Sequence, residues 1–154
     1  MGEIHIRRAG LEDAPAVSDC VTQAYMPYIS RIGVAPAPLQ ANYSELIKQH
    51  RVHVLVDDGR VVGVLALVVQ EHRLLLENIA IHPEYQGRGQ GTRMIRYAET
   101  EAQGMGLNVL ALYTNELMTE NIRWYRKLGY QEVERRVEQG YRRVFLEKRI
   151  LCFE

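Results

Sequence analysis

Three glycines at alternate positions, Gly87, Gly89 and Gly91, stand in the run HPEYQGRGQGTRM (82–94), interleaved with Gln86, Arg88 and Gln90. Without a β-carbon, glycine lets backbone N–H groups come close to a ligand, and a helix starting near Thr92 would aim its positive end at the same place. Together these parts make an anion site, most naturally for a pyrophosphate. A P-loop requires GxxxxGK followed by Ser or Thr, and a dinucleotide fold requires GxGxxG with an acid about twenty residues on. This run reads GxGxG and has no lysine. Glycines alone would also suit a flexible surface loop, so the flanks have to decide.

Upstream of the glycines, LLLENIAI (74–81) holds one carboxylate, Glu77, inside an apolar run. Flanking Leu76 and Ile79 would desolvate it and raise its pKa toward the range of a general base. An exposed glutamate at the solvated end of a strand is the plain alternative. His5, His50, His53 and His72 have neither mutual spacing nor carboxylate context for a metal, and no metal is predicted. His82, before Pro83, shapes a strand exit rather than moving protons.

These groups need a scaffold, and the hydrophobic pattern supplies one. Ile4 to Arg7 alternates like a short strand, and Asp13 with Pro15 opens a helix carrying Val17, Cys20, Val21 and Ala24. Four breakers, Pro27, Gly33, Pro36 and Pro38, divide the next stretch into a shaped loop between short helices, with a helical pattern resuming at Ser44. Val52, Val54 and Val56, the pair Asp58-Gly59 and the apolar run to Val69 read as a hairpin, followed by the strand 74–81. A helix over 92–103 buries Met94, Ile95, Ala98 and Ala102, a strand runs over 107–114, and a short helix capped by Thr119 ends at Gly129. A closing hairpin completes one mixed α/β (α+β) domain spanning 1–154.

With 154 residues and 47% hydrophobic content the chain suits a single core. Nineteen basic residues balance nineteen acidic ones, so no nucleic-acid or anionic-lipid footprint shows in the net charge. The apolar run 61–69 is too short to span a bilayer, and MGEIHIRRAG lacks a signal-peptide core. Cys20 and Cys152 form neither a metal spacing nor a disulfide framework, which fits a reducing, cytoplasmic setting.

The segment Gln86-Gly87-Arg88-Gly89-Gln90-Gly91 resembles the Gln/Arg-x-x-Gly-x-Gly/Ala phosphate cradle of the GNAT superfamily of acyl-CoA-dependent N-acyltransferases. NIRWYRKLGY (121–130) is similar to the helix end of the same family, and the two motifs occur in the family's order and separation. The resemblance implies a single-domain fold with a central, mixed, twisted sheet of about seven strands flanked by helices. Its fourth and fifth strands, parallel, splay apart to admit acetyl-CoA as cosubstrate. It implies that Ile79, Ala80 and Ile81 pair with the pantetheine arm, and that Gln86 through Gly91 with Thr92 hold the phosphates. Glu77 aligns with the family's catalytic acid position, and Tyr125 with the tyrosine that protonates the departing thiolate. Where the family often carries an asparagine, seven residues before that tyrosine, Met118 stands, so either Asn115 or Asn121 replaces that coenzyme contact or the contact is absent.

The acceptor side falls on the 25–43 stretch, where Tyr25, Tyr28 and Arg31 could line a pocket and Arg31 could clamp a carboxylate, with the closing hairpin near Gly140 as a second wall. The implied activity is transfer of an acetyl group to a primary amine of a small molecule or amino acid. A protein N-terminal or lysine acetyltransferase and a noncatalytic acyl-CoA sensor are the alternatives. Neither a nucleic acid nor a membrane is an expected partner, and a homodimer is an open alternative to a monomer.

Overall fold

In a computed structural model, which describes residues 3–33 and 37–150, strands and helices follow in the order β1 (Ile4–Arg8), α1 (Ala14–Tyr25), α2 (Ile29–Ile32), α3 (Tyr43–Lys48), β2 (Val52–Asp57), β3 (Arg60–Gln70), β4 (Arg73–Ile81), α4 (Gln90–Gly104), β5 (Val109–Asn115), α5 (Thr119–Lys127), β6 (Gln131–Glu138) and β7 (Tyr141–Arg149). The strands form one seven-stranded sheet in the order β1-β2-β3-β4-β5-β7-β6. The pair β4–β5 is parallel, whereas β1–β2, β2–β3, β5–β7 and β6–β7 are antiparallel. This is the mixed, helix-flanked sheet that the resemblance implied. Among the described residues, no helix is long and apolar enough to cross a membrane. The chain groups into two compact units, residues 1–67 with 78–95, and residues 68–77 with 96–154.

In the first unit, the alternation of Val52, Val54 and Val56 puts three side chains on one face of β2, where they meet Val17, Cys20, Val21 and Ala24 of α1 and Tyr43 and Ile47 of α3. Removing such side chains from water stabilises the unit by roughly 1.5–3 kcal/mol each. The hairpin between β2 and β3 turns at Asp58 (φ 50°) and Gly59 (φ 79°), the pair of left-handed residues that a tight two-residue turn demands. Gly63 of β3 has a different reason to be glycine. A β-carbon there would lie 2.9 Å from Leu55 Cβ, 2.9 Å from Met94 Sδ and 3.2 Å from Ile81 Cδ1. The bare backbone lets the start of α4 seat Met94 against the sheet. Cys20 is buried, and burial pushes its thiol up to about 12, so it packs as a small apolar group. Cys152 lies outside the described residues.

In the second unit, Leu110 and Leu112 of β5 and Val144 and Leu146 of β7 are fully buried on one sheet face. Ala98 and Ala102 of α4 and Ile122 and Tyr125 of α5 are buried in the same unit. Glu99 of α4 holds this packing together electrostatically. Its Oε2 accepts from the Tyr130 hydroxyl at 2.8 Å and from Lys148 Nζ at 3.1 Å. Burial, and then the Glu99 carboxylate, push the Tyr130 phenol far above its ordinary range, so Tyr130 donates and stays neutral.

Three local expectations are corrected. The helix after the glycines begins at Gln90, two residues before Thr92, because the Arg93 N–H reaches the Gly89 carbonyl at 3.1 Å and closes an α-helical turn that already includes Gly91. Thr119 does not cap α5. Met118 is the N-cap and makes no side-chain cap bond, because the turn is closed upstream: Asn115 Oδ1 accepts from Leu117 N–H at 2.9 Å and the Asn115 carbonyl from Met118 N–H at 3.0 Å. That leaves Thr119 as the first helical residue, with its hydroxyl directed at Glu120. The strand expected from Leu107 starts at Val109, since the Leu107 N–H is taken by the Ala102 carbonyl at the end of α4.

Candidate functional site

Along β4, burial alternates once the strand leaves its apolar start: Leu76, Asn78 and Ala80 are buried, while Glu77, Ile79 and Ile81 are half-buried. The recorded pairing with β5 covers Leu74–Leu76 against Leu110–Leu112, the first part of the strand only. At the exit, the His82 N–H donates to the Val62 carbonyl at 2.8 Å, and Pro83 ends the ladder. His82 Nδ1 then accepts from Glu84 N–H at 3.2 Å, capping the 3-10 turn Pro83–Tyr85, and Gln86 Nε2 donates to the Ile81 carbonyl at 3.0 Å. The Gln86 amide thereby ties the glycine segment back to the end of β4.

Within the segment, Gly87 (φ 77°) and Gly89 (φ 80°) adopt left-handed backbone that L side chains rarely enter. Among the described residues, a β-carbon at either would meet nothing within 4 Å beyond its chain neighbours, so the space they face is open. The constraint on these two glycines is therefore backbone conformation, with an open approach in front of it. Gly91 and Thr92 lie in the first turn of α4, whose leading N–H groups lack intrahelical partners. The Oε1 of Gln90 is buried with no hydrogen-bond donor among the described residues, and a buried acceptor in that state is costly until a donor arrives. Arg88 is exposed, with its guanidinium 5.3 Å from the Tyr85 ring centroid. The Tyr85 hydroxyl donates to Asp57, which raises the phenol's pKa.

Of the three acceptor-side candidates, Tyr25 is engaged with the strand itself. Its hydroxyl lies 2.8 Å from Asn78 Oδ1 and 3.3 Å from the Ile79 carbonyl. Asn78 Nδ2 donates to the Tyr43 hydroxyl at 3.0 Å, which donates to the Pro38 carbonyl at 2.7 Å. This buried chain joins α1, α3 and β4 in the first unit. Asn78 is the residue that sequence reasoning passed over; a polar side chain amid LLLENIAI, on the side of the strand that alternation buries, was the available signal. Tyr28 is half-buried in the turn after α1, and the exposed Arg31 stacks on it, its guanidinium 5.2 Å from the ring centroid.

In the second unit, Glu77 is half-buried, next to Leu76 at 1% exposure. Tyr125 is buried on α5, its ring 5.1 Å from that of Trp124 and 6.3 Å from that of Tyr130. Burial raises the Tyr125 phenol well above its ordinary value. Among the described residues, no hydrogen bond reaches the Tyr125 hydroxyl. Asn115 spends its Oδ1 on the turn before α5, and Asn121 Nδ2 approaches Met118 Sδ at 4.0 Å. A recess of about 260 Å³ lies at the start of β4, lined by Glu71, His72, Arg73, Asn108, Val109 and Glu147, and contains none of the candidate residues. No cluster of three or more His, Cys, Asp or Glu placed to hold a metal occurs among the described residues.

A family model described as an acetyltransferase (GNAT) domain matches residues 48–132. The amino-acid acetyltransferase of Vibrio cholerae serotype O1 is 30% identical over 87 residues, which are 55% of this chain and 19% of that protein. The corresponding enzyme of Vibrio vulnificus is 26% identical over 85 residues, 54% of this chain and 18% of that protein. The matched stretch thus spans less than a fifth of each relative's length. Among solved structures, the ribosomal-protein-S18-alanine N-acetyltransferase of Escherichia coli superposes with a TM-score of 0.78 at 19% identity, covering 99% of this chain and 97% of that one. A PaiA N-acetyltransferase from Thermoplasma acidophilum in complex with coenzyme A gives 0.79 at 16% identity, covering 96% and 99%. At these identities the likeness is one of fold.

Proposed function

The chain belongs to the GNAT acetyltransferase family, and we propose that it transfers an acetyl group from acetyl-CoA to a primary amine of a small molecule or amino acid by direct attack, residues 1–154 acting as one acetyltransferase domain. One observation carries the reading: the left-handed glycines Gly87 and Gly89 face open space directly before the unpartnered N–H groups of α4. Backbone donors and the helix dipole there suit a pyrophosphate, and the buried Gln90 Oε1 offers an acceptor awaiting a donor. In this reading Ile79, Ala80 and Ile81 pair with the pantetheine amides, and Gln86 through Thr92, Arg88 included, hold the phosphates. The solved relative that contains coenzyme A shares the fold.

The chemistry then needs three proton movements: two off the nitrogen and one onto the leaving sulfur. Glu77, directly or through a water, takes a proton from the ammonium, and the amine nitrogen attacks the thioester carbonyl. The C–N bond forms, the nitrogen, now positively charged, gives up its second proton to solvent, the tetrahedral intermediate collapses, the C–S bond breaks, and coenzyme A leaves as a thiolate. Tyr125 is the group for that thiolate. A phenol ordinarily near pKa 10 is already uphill of a thiol near about 8.5, and burial raises Tyr125 further. It therefore serves the leaving sulfur by hydrogen bonding, with solvent completing the protonation. Tyr28 and Arg31 belong to the acceptor side, Tyr25 supports β4 through Asn78, and Asn115 and Asn121 are secondary coenzyme contacts. With Cys20 a buried free thiol, a reducing cytoplasmic setting suits the protein.

The deciding experiment is release of free thiol from acetyl-CoA in the presence of a panel of amines, amino acids and peptides. Turnover with small amines supports the reading. Turnover confined to peptides moves the acceptor to protein N-termini or lysines, and binding of acetyl-CoA without turnover makes the protein a sensor.

A further inference from the structure

The sheet of the second unit has two unlike faces. Leu76 and Leu112 are partners in the parallel pair β4–β5 and both are buried. Glu77 and Tyr113, the next residue of each strand, therefore leave the sheet on its other side. Tyr113 is paired with Phe145 and Asn115 with Arg143 across β5–β7, and Arg143 with Arg136 across β6–β7. Glu77, Tyr113, Phe145, Arg143 and Arg136 thus share one face.

On that face arginines and aromatic rings interleave. The Tyr113 and Phe145 rings lie 5.5 Å apart; Arg136 stands 4.3 Å from the Phe145 centroid, and Arg143 stands 4.5 Å from the Tyr113 centroid and 5.5 Å from that of Tyr141. Two rings hold the Arg143 guanidinium, and its side chain is only 15% exposed, against 45% for Arg136. Like charges directly opposed across a pair of strands repel. Here a single carboxylate, Glu138, serves both, at 3.4 Å from Arg143 Nη1 and 3.4 Å from Arg136 Nε. Arg136 also has Glu134 at 3.6 Å, whereas Arg143 has no other polar partner among the described residues. A largely desolvated guanidinium, fixed in orientation and loosely half-paired, is a preorganised receptor for a planar anion. It lies over Tyr113, whose strand is about 5 Å from the strand of Glu77.

We propose that Arg143 is the acceptor's carboxylate-binding residue: the substrate amine lies toward Glu77 and its carboxylate pairs with the free edge of the Arg143 guanidinium over Tyr113, so amino acids are preferred to amines that lack the acid. This rests on the assignment of Glu77 as base and of an amine as acceptor, and it moves the carboxylate clamp from Arg31 to β7.

The test compares amino acids with their carboxamides, in acetyl-CoA turnover and in calorimetric binding. Arg143→Gln is expected to raise KM for the acids by about 10- to 100-fold, the range of a hydrogen bond to a charged group. The kcat should stay within about threefold and the amides should be untouched. Glu138→Gln, which removes the competing carboxylate, should tighten the acids and not the amides, and Arg31→Ala should leave the acid-to-amide ratio alone. Equal losses on acids and amides, or discrimination lost in Arg31→Ala, overturn the proposal. If wild-type protein turns over no amine, the transfer reading fails and binding decides: acid-over-amide binding that vanishes in Arg143→Gln upholds the subsite, and its absence in wild type refutes it. If Arg143→Gln does not fold, an unchanged acid affinity in Glu138→Gln refutes it.

Discussion

Gly63 and Gly89 are the same residue held for opposite reasons. Gly63 sits in ordinary strand conformation, hemmed in by Leu55, Met94 and Ile81; Gly89 sits in left-handed backbone where, among the described residues beyond its chain neighbours, nothing lies within 4 Å of a β-carbon's place. The first glycine serves the packing of α4 on the sheet, and the second is set by backbone conformation and faces open space. Substitution at Gly63 should therefore be read in the stability of the protein alone, and substitution at Gly89 chiefly in what the protein binds.

The comparison extends to the catalytic candidates, and the largest expected effect lies there. Glu77→Gln should lower kcat by about 10²- to 10³-fold, the lower part of the range for general-base loss, with coenzyme affinity unchanged. Full activity with an unaltered pH profile would return the proton to water. Next comes Gly89→Val, expected to weaken coenzyme A binding by about 30- to 100-fold through strained backbone and a blocked approach. Thermal melts with coenzyme A, with ATP and without ligand check it. A variant as well stabilised by coenzyme A as wild type would strip the segment of its assigned role. Tyr125→Phe should cost about 10- to 30-fold in kcat, because a buried phenol with a raised pKa assists the leaving sulfur without surrendering its proton. The loss should shrink with an acyl donor whose thiol is more acidic; a wild-type rate would make Tyr125 a packing residue.

Gly63→Ala should destabilise the protein by about 1–3 kcal/mol through overpacking, measured by denaturant unfolding, while ligand-induced stabilisation persists. The smallest effect concerns acid. Hydrogen bonds from Arg7, at 2.7 and 3.1 Å, hold the Asp13 carboxyl below its ordinary range at the start of α1. A lowered folded pKa means that this stabilisation is complete above the unfolded value, about 3.9. It fades as pH falls through the folded value below that. Asp13→Asn should flatten the melting profile below about pH 4 and hardly move it at pH 7, since Arg7 is 41% exposed and solvent screens the pair.

Much of this was legible because it is local. Alternation at Val52, Val54 and Val56, the Asp58-Gly59 turn, and the apolar spacing of Met94, Ile95, Ala98 and Ala102 are set by neighbours a few positions away, and each element forms there, α4 starting two residues earlier than its apolar spacing implied. The glycine segment was legible for the same reason, since left-handed backbone favours glycine, as at Gly87 and Gly89. The cap at Met118 was not, because the bond that displaced Thr119 comes from Asn115 at the end of a strand. Nor was the role of Tyr25, whose hydroxyl reaches across 53 residues to Asn78.

By itself, then, the sequence determined the element order, the left-handed glycines before α4 and the carboxylate on the strand before them, all of which depend on short-range periodicity and backbone stereochemistry. Only the tertiary structure decided which long-range partners those residues acquire. It put Asn78 between Tyr25 and Tyr43, crowded Gly63 with Met94, and stacked Arg143 between Tyr113 and Tyr141. Strand order and register set these meetings, and both are fixed by how whole faces bury against one another, which no window of the chain contains.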